Sequence, residues 1–252
     1  IDNKSISEFV KKISAENKKG EYYLTDVIGI ANKAGARCVV HLGEESEVMG
    51  INDKLQLSKA ERIIQQRLRE AFLLSGVTMI DPDTVYLSAD TEIGKDVVIH
   101  PNVVIGHGVV IGDNVEILPF TQIVDAKIGK ETSIGPFARI RPNTKIGKKC
   151  RIGNFVELKS ADLGDEAKAS HLSYIGDAKL GSGTNIGAGT IFCNYDGYAK
   201  HFSKIGKDVS VGANTSLVAP IEIGDSVIIG AGSVITENIE NNALAIARAR
   251  QV

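Results

Sequence analysis

Hydrophobic positions between residues 93 and 235 recur about every sixth residue, and glycine often follows them. This period fits neither an amphipathic helix nor a long alternating strand. It predicts a parallel β-helix, in which each flat side of a triangular coil is one short strand followed by a turn. The aliphatic side chains would fill the prism, and the small residue after each would let the chain turn the corner. The series consists of Ile93, Ile99, Ile105, Ile111, Ile117, Ile123, Ile128, Ile134, Ile140, Ile146, Ile152, Leu158, Leu163, Ile175, Leu180, Ile186, Ile205, Val211, Leu217, Ile223, Ile229 and Ile235.

The series departs from its own period at a few places. Shorter steps follow Ile123, Leu158 and Ile175, which predicts local coils one residue shorter than three full hexads. A step more than three times the usual length separates Ile186 from Ile205 and predicts an inserted loop. Because loops on a rigid scaffold often carry function, these departures indicate where a site could lie.

Residues 1–56 contain no such repeat. Apolar spacing predicts helices over residues 5–16 and 21–34. Short apolar runs predict strands over residues 38–42 and 48–51. Two strands are too few to bury a core, so this segment resembles the end of a larger α/β domain. The chain begins with isoleucine and enters a helical pattern at once, and we therefore interpret it as a piece of a longer protein.

Residues 57–76 predict a single helix. Ser58 and Glu61 have the spacing of a capping box. Gly76 can take the left-handed position after the last turn. The face expected to be buried consists of Ile64, Leu68, Ala71, Phe72 and Ser75.

After Ile235 the repeat stops, and the basic tail over residues 238–252 is expected to lie against the end or edge of the prism. The full pattern predicts a mainly β protein. Its main part is a left-handed parallel β-helix over residues 77–237. A small α/β remnant over residues 1–56 and a linker helix over residues 57–76 precede it.

Composition narrows the class of protein. Lys and Arg number 29 against 31 Asp and Glu, and a net charge of −2 gives no electrostatic argument for nucleic acid. No apolar run approaches the ~18 residues of a membrane span, and the N-terminus lacks the features of a signal peptide. The cysteines Cys38, Cys150 and Cys193 are scattered and odd in number, which favours a reducing, cytoplasmic location.

Three interruptions of the repeat could carry chemistry. His171 stands in the middle of a side, where an imidazole could act as a general base; a solvated surface histidine is the equal alternative. The inserted loop within residues 187–201 opens with small residues that would let a ligand approach the backbone. Arg141 and Lys159 stand three full hexads apart, which is one regular coil, and should be neighbours in adjacent coils. This suits a phosphate clamp, against the alternative of a solvated charged face.

An ordered set of motifs closely resembles one known family. The segments 21–26 and 50–58 resemble the end of its uridyltransferase domain. The other motifs are RIRP at 139–142, GNFVE at 153–157, ASHLSYIGD at 169–177, NIGAGT at 185–190, CNYDG at 193–197, LVAP at 217–220 and ALAIAR at 243–248. The family they resemble is the bacterial bifunctional N-acetylglucosamine-1-phosphate uridyltransferase/glucosamine-1-phosphate N-acetyltransferase.

The resemblance implies a role for each candidate position. His171 would be the general base. Arg141 and Lys159 would hold the sugar phosphate, and the sugar itself would contact Tyr174 and Asn185. The positions implied for acetyl-CoA are Ala188, Asn194, Tyr195, Ala213, Ala231 and Arg248. The resemblance also implies a homotrimer in which each site is built from more than one subunit.

One position departs from the family pattern, and only the last segment of the family's uridyltransferase half is present. Ala213 stands where the family often has serine, so a hydroxyl contact to the coenzyme would be lost while a backbone contact would survive. Asn52 matches a residue that contacts the UDP-sugar and Mg²⁺, but most of its partners are missing from this chain. We therefore expect neither a functional metal site nor uridyl transfer from this part alone.

The expected reaction is direct acetyl transfer from acetyl-CoA to the 2-amino group of glucosamine-1-phosphate, with His171 accepting the proton. A backbone N–H within residues 187–189 is the candidate oxyanion donor. Other hypotheses remain open: a hexapeptide-repeat acyltransferase for a nucleotide sugar, a metal hydratase and a non-catalytic scaffold. The hydratase would need three converging histidines, and His100, His107, His171 and His201 show no convincing set.

Overall fold

A computed structural model describes residues 3–250, so the predicted first and last segments each extend two residues beyond the described part. The chain divides into two compact units, Ile1–Gln56 and Leu57–Val252. Within residues 3–250, no helix is both long enough and apolar enough to cross a membrane.

The first unit contains two short helices, α1 Asn3–Val10 and α2 Asp26–Lys33. Both are shorter than the sequence predicted. The side-chain oxygen of Asn17 accepts hydrogen bonds from the backbone N–H groups of Lys19 and Glu21. These bonds hold the stretch between the helices in a turn, because an asparagine amide offers the backbone an alternative to helical bonding.

The strands predicted over residues 38–42 and 48–51 are wrong. Neither segment forms a strand, and a 3₁₀ turn at Glu45–Glu47 lies between them. Val39 and Val40 are exposed. A strand is stabilised by the ladder it forms with a neighbour, and no strand lies in the described part of this unit. High β-propensity alone is therefore not enough here.

The helix α3 spans Lys54–Leu74 and begins earlier than predicted. The carboxylate of Asp53 accepts a hydrogen bond of 2.7 Å from the N–H of Gln56, so the N-terminus is capped there and not at Ser58. The predicted C-terminal signal is confirmed, because Gly76 has a positive φ of 101°.

The buried stripe of α3 is shifted by one residue from the predicted face. Ile64 is exposed, whereas Gln65 and Arg69 are buried. The amide of Gln65 donates to the carbonyl of Leu87 and accepts from its N–H, at 2.7 and 2.8 Å. Arg69 donates to the carbonyl of Val85 at 3.3 Å. These polar bonds, with the partly buried Leu68 and Phe72, attach the helix to the first coil.

The rest of the second unit is built from short parallel strands. A 3₁₀ turn at Pro82–Thr84 follows the first of them. The strands are β1 Thr78–Met79, β2 Glu92–Ile93, β3 Val98–Ile99, β4 Val104–Ile105, β5 Val110–Ile111, β6 Glu116–Ile117, β7 Gln122–Ile123, β8 Ala126–Ile128, β9 Ser133–Ile134, β10 Arg139–Ile140, β11 Thr144–Ile146, β12 Arg151–Asn154, β13 Glu157–Leu163, β14 Lys168–His171, β15 Tyr174–Leu180, β16 Asn185–Ile186, β17 Ile191–Cys193, β18 Ser203–Ile205, β19 Ser210–Val211, β20 Ser216–Val218, β21 Ile221–Ile223, β22 Ile228–Ile229, β23 Val234–Ile235 and β24 Leu244–Ala245.

Each strand pairs with the strand of the same side in the next coil, which makes three sides. The first side is the ten-stranded sheet β1-β3-β6-β9-β12-β14-β16-β19-β22-β24. The other two sides form one fourteen-stranded sheet, because the long strands β13 and β15 continue around the corner between them. This is the predicted left-handed parallel β-helix.

The predicted interior and coil lengths are confirmed. The aliphatic series from Ile99 to Ile235 is buried. Ile111 pairs with Ile128, so this coil is one residue short of three full hexads, as the short step predicted. Phe192, fully buried, continues the series at the regular step after Ile186, and the sequence prediction missed it. The inserted loop is therefore shorter than the gap in aliphatic residues suggested.

The glycines after the aliphatic positions serve a purpose different from the predicted one. A Cβ on Gly112 would lie 2.8 Å from the backbone nitrogen of Lys130 in the next coil. The corner itself is made two residues later, where Asn114 has a φ of 55°. Asparagine tolerates this left-handed conformation better than most residues. Glycine is thus required for the close approach of coils, not for the turn.

The tail adds to the prism. The strand β24 pairs with β22, with Leu244 opposite Ile228 and Ala245 opposite Ile229. The segment predicted as a tail over residues 238–252 therefore includes the last strand of the ten-stranded side, and it covers an edge that would otherwise be free.

Candidate active site

His171 is the last residue of β14 and pairs in register with Asn154, the last residue of β12. Its Nδ1 lies 2.6 Å from Oδ1 of Asn154. Because an amide oxygen only accepts, Nδ1 carries the proton of this hydrogen bond. In the neutral ring Nε2 then holds the lone pair, and the side chain is exposed to solvent. The arrangement leaves one basic nitrogen available to a reacting group.

Local sequence explains why these two side chains meet. A Cβ on Gly153 would clash with the carbonyl oxygen of Ser170, so glycine permits the close approach of β12 and β14. Just beyond His171, Leu172 takes a positive φ of 50° and its N–H donates to the carbonyl of Asn154 at 2.9 Å. The corner therefore places the imidazole directly beside the amide of the preceding coil.

A cluster of cations lies on the neighbouring side. Arg141 and Lys159 follow residues that pair in register, as their spacing predicted. Arg141 donates to Glu157 at 2.8 Å, and Lys159 donates to both oxygens of Asp177 at 2.9 and 3.0 Å. Burial acts to lower the pKa of Lys159, but the Asp177 carboxylate outweighs it, so the pKa lies above its ordinary value.

The sequence prediction missed a third cation, Lys200. The ammonium of Lys159 lowers the pKa of Lys200 below its ordinary value, and Arg141 acts in the same direction. The inserted loop begins at the same cluster, since the side-chain amide of Asn194 donates to Asp177, which also binds Lys159. One signal could have revealed this residue: Lys200 is the only lysine or arginine between Cys193 and Ser203, in the inserted loop.

Tyr174 and Asn194 meet beside this cluster. The amide nitrogen of Asn194 donates to Asp177 and lies 3.4 Å from the hydroxyl of Tyr174. Asn194 is buried. A Cβ on Gly176 would clash with the Tyr174 hydroxyl, so glycine is needed for both side chains to fit. The Asp177 carboxylate therefore joins Lys159 to Asn194, and the amide of Asn194 in turn reaches the hydroxyl of Tyr174.

The inserted loop leaves the prism between β17 and β18. Leu180 pairs with Ile205 across the lengthened coil, so the loop interrupts neither side. Tyr195 is exposed and its hydroxyl donates to the carbonyl of Gly197 at 2.6 Å. An antiparallel bridge joins Tyr195 to Lys200. The loop thus carries Tyr195 and Lys200 as opposed members of a small hairpin.

Ala188, Ala213 and Ala231 occupy equivalent corners of consecutive coils. The N–H groups that follow Ala213 and Ala231 donate to the carbonyls of Ala188 and Ala213 at 2.7 and 2.8 Å. Arg248 lies beside the same corner, since its Cδ is 3.7 Å from a Cβ placed on Gly232. The four positions therefore follow one edge of the prism.

One predicted position is not brought to the cation cluster. Asn185 lies in β16 on the ten-stranded side, between Lys168 and Ser210. Arg141 follows β10 and Lys159 lies in β13, and both of these strands belong to the fourteen-stranded sheet. Asn52 belongs to the first unit, where its N–H donates to the side chain of Gln56 at 2.6 Å. Over residues 3–250, no group of three or more His, Cys, Asp or Glu residues could hold a metal ion.

Comparisons with known proteins agree with this architecture. The family model described as bacterial transferase hexapeptide (six repeats) matches residues 90–124, 125–160 and 202–237. The unmatched stretch between them contains His171 and the inserted loop. A solved structure of LpxA, a UDP-N-acetylglucosamine acyltransferase from Bacteroides fragilis, has the same fold. Its TM-score is 0.50 at 21% identity, over 64% of this chain and 68% of that one.

Two curated relatives match the chain from end to end. The bifunctional protein GlmU of Paramagnetospirillum magneticum is 48% identical over 252 residues, which is 100% of this chain and 56% of that protein. GlmU of Fervidobacterium nodosum is 45% identical over 268 residues, covering 100% of this chain and 59% of that protein. The chain thus spans less than two thirds of the length of these relatives. It is a homologue of the bifunctional GlmU proteins, similar to them along its whole length.

Proposed function

We propose that this chain transfers an acetyl group from acetyl-CoA to the 2-amino group of glucosamine-1-phosphate. The broader assignment, a hexapeptide-repeat acyltransferase acting on a nucleotide sugar, is supported by the GlmU relatives, and the sugar phosphate is inferred from the same resemblance. The observation that carries the proposal is the pairing of His171 with Asn154, on the side next to the strands that bring Arg141 and Lys159 together.

His171 acts as the general base. The amine nitrogen attacks the thioester carbonyl carbon, and its proton passes to Nε2 of the imidazole while Nδ1 stays bonded to Asn154. The tetrahedral intermediate then collapses with cleavage of the C–S bond, and the imidazolium returns the proton to the departing thiolate. No acyl-enzyme is required, because the acceptor attacks the thioester directly.

The oxyanion of that intermediate needs hydrogen-bond donors. The N–H of Gly187 already donates to the carbonyl of Val211 at 2.9 Å. Within the predicted stretch 187–189, the donor role therefore falls to the N–H of Ala188 or of Gly189.

The cation cluster binds the phosphate of the acceptor. Arg141 and Lys159 are held by Glu157 and Asp177, and Lys200 approaches from the loop. Guanidinium and ammonium groups are the usual partners of phosphate. Tyr174, tied to the same network, would contact the sugar ring.

Acetyl-CoA fits the edge formed by Ala188, Ala213 and Ala231. Their methyl groups would leave room for the long pantetheine arm to lie close to the backbone. Asn194 and Tyr195 stand at the loop, and Arg248 at the far end offers a cation for the coenzyme phosphates. Ala213 has no hydroxyl, so it would contribute only its backbone.

The working form is a homotrimer with sites between neighbouring prisms. Phe120, Phe137 and Phe155 stack at one corner with ring centroids 4.8 and 5.2 Å apart, and all three are about half exposed. Leu172, next to His171, continues this row of exposed apolar corners. A second subunit against this corner would bury the row and could supply Asn185, which lies away from the cations within one chain.

Uridyl transfer belongs to the longer protein. In that setting we propose that Asn52 contributes to the Mg²⁺ and UDP-sugar site, since a side-chain amide oxygen is a suitable magnesium ligand. We also place the reaction in the cytoplasm, where the three free thiols would stay reduced.

The proposal is tested by thiol release from acetyl-CoA in the presence of glucosamine-1-phosphate. We expect turnover by the native chain and a loss of about 10²–10⁴-fold in His171→Ala, the usual contribution of a general base. His107→Ala, at another exposed corner, is the matched control. Turnover only with a nucleotide sugar would indicate the alternative acceptor, and activity unaffected by His171→Ala would refute the assigned base.

A further inference from the structure

The carboxylate of Asp196 joins both strands of the inserted hairpin. Its Oδ1 accepts hydrogen bonds from the N–H groups of Tyr198 and Ala199 at 2.8 and 2.7 Å. Its Oδ2 accepts one from Nε2 of His201 at 2.7 Å. Asp196 therefore contacts both the turn at the tip of the hairpin and the segment that returns to the prism.

Two further contacts close the hairpin at its base. The N–H of His201 donates to the carbonyl of Asn194 at 2.8 Å, and the N–H of Asp196 donates to the carbonyl of Ala199 at 3.2 Å. Ala199 and His201, which both bind to Asp196, are the residues immediately before and after Lys200. The backbone at Lys200 is thus held between two residues that bind to the carboxylate of Asp196.

These bonds favour the charged form of the carboxylate. The N–H of Ala199, then His201, then the N–H of Tyr198 hold the pKa of Asp196 well below its ordinary value. The side chains of Asp196 and His201 are 47% and 32% exposed, so the pair is accessible to water. Asp196 is consequently ionised throughout the neutral range.

Lys200 needs such a constraint because its surroundings repel it. The contact with Lys159 and the positive charge of Arg141 both lower the pKa of Lys200, and the Asp177 carboxylate acts in the opposite direction. In the absence of a bound anion, a free lysine would turn away from the other cations. A cation held in place beforehand loses less conformational entropy when the anion arrives.

We propose that Asp196 is a positioning residue: it fixes the hairpin so that Lys200 remains beside Arg141 and Lys159 before the phosphate of the acceptor binds. The proposal rests on the proposed function, because the phosphate is that of glucosamine-1-phosphate. It assigns to Asp196 no contact with either substrate.

The test is a double-mutant cycle on Asp196→Ala and Lys200→Ala, with KM measured separately for each substrate. We expect each single variant to raise the KM for glucosamine-1-phosphate about tenfold, the size of one charge-assisted hydrogen bond. The double variant should be no worse than Lys200→Ala alone, because Asp196 acts only through Lys200. The KM for acetyl-CoA should stay within about twofold of the native value in all three.

Two more variants guard against a trivial loss of structure. Tyr198→Ala keeps the backbone N–H and removes a side chain that is 97% exposed, so it should behave like the native chain. Asp196→Asn keeps an acceptor for the loop N–H groups and should raise the KM less than Asp196→Ala. Hydrogen exchange at the amides of Tyr198 and Ala199 should accelerate in Asp196→Ala without a change in the exchange of the prism.

Failure of this proposal is separable from failure of the proposed function. The role of Asp196 would be overturned, with acetyl transfer left intact, if the two single-variant increases in the KM for glucosamine-1-phosphate multiplied in the double variant. A rise confined to the KM for acetyl-CoA would overturn it in the same way. Faster amide exchange with unchanged KM values would overturn it equally. If the native chain neither turns over nor binds glucosamine-1-phosphate by calorimetry, the acceptor assignment fails, and the positioning role fails with it.

Discussion

Replacing Asn154 by alanine removes the partner that fixes the tautomer and orientation of His171. The lost contact is a neutral hydrogen bond of 2.6 Å to an exposed imidazole. Such a bond has a net value of about 0.5–1.5 kcal/mol. Each 1.36 kcal/mol of activation free energy changes a rate about tenfold, so kcat should fall about 2- to 13-fold. The base itself remains, and the loss should therefore be far smaller than the ~10²–10⁴-fold expected for His171→Ala.

The assay is thiol release with both substrates saturating, together with a thermal melt of each variant. Asn32→Ala, at an exposed position of α2, serves as the matched control and should leave kcat unchanged. The double variant of Asn154 and His171 should be no slower than His171→Ala, since Asn154 acts through the imidazole. An unchanged kcat in Asn154→Ala would refute the tautomer argument. A loss equal to that of His171→Ala would show that Asn154 takes part in the chemistry itself.

Three other predictions concern packing, assembly and thiol reactivity. Gly153→Ala places a Cβ against the carbonyl oxygen of Ser170 in the next coil. It should lower the free energy of unfolding by at least about 1–3 kcal/mol, the range of overpacking, as measured by urea denaturation. Gly29→Ala, whose Cβ would meet open space, should not lower it. If the proposed trimer forms through the aromatic corner, Phe137→Ser should shift it toward monomers in sedimentation and reduce activity in parallel. A trimer that persists in this variant would mean that the aromatic corner is not the contact. Burial raises the pKa of Cys150, so iodoacetamide at mildly alkaline pH should label the exposed Cys38 first, and equal labelling rates in the native protein would contradict the buried position.

The prism could be predicted because the side chains that fill it are aliphatic and recur with the period of its sides. The pattern is a weaker predictor where an aromatic residue takes an interior position. Phe192 fills its coil as an isoleucine would, and only its regular step from Ile186 could have identified it. The role of the glycines was not predictable from period alone. Gly112 matters because of Lys130 in the next coil, a distance that depends on the stacking of coils and not on local preference.

Outside the prism, propensity misled in two ways. Val39 and Val40 have the side chains of a strand, but the described part of the first unit offers no strand to pair with them. In α3, the buried face is not the apolar one centred on Ile64 but one that contains Gln65 and Arg69. These two side chains are buried because they form hydrogen bonds with backbone groups of the first coil. Such tertiary hydrogen bonds leave no periodic signal.

The candidate site was predictable only in part. The spacing of Arg141 and Lys159, one regular coil apart, was enough to predict that they are neighbours. It could not place Lys200, since a loop that leaves the repeat has no register, nor could it reveal Asp177, whose carboxylate links Lys159 to Asn194. His171 was visible as an interruption, but its partner Asn154 follows from the pairing of β12 with β14 in space.

The coil that carries the inserted loop also bears on how such a protein can change over time. Phe192 pairs with Leu217 and Leu180 pairs with Ile205, so the strands on either side of the loop stack as if it were absent. In a solenoid each repeat contacts only its neighbours, and a segment that leaves and re-enters at the same corner does not disturb the pairing of the strands. The loop can therefore be treated as an exchangeable cassette. Grafting hairpins of other lengths between Tyr195 and Lys200, with Asn194 and both of these residues kept, offers a way to alter acceptor choice without redesigning the core.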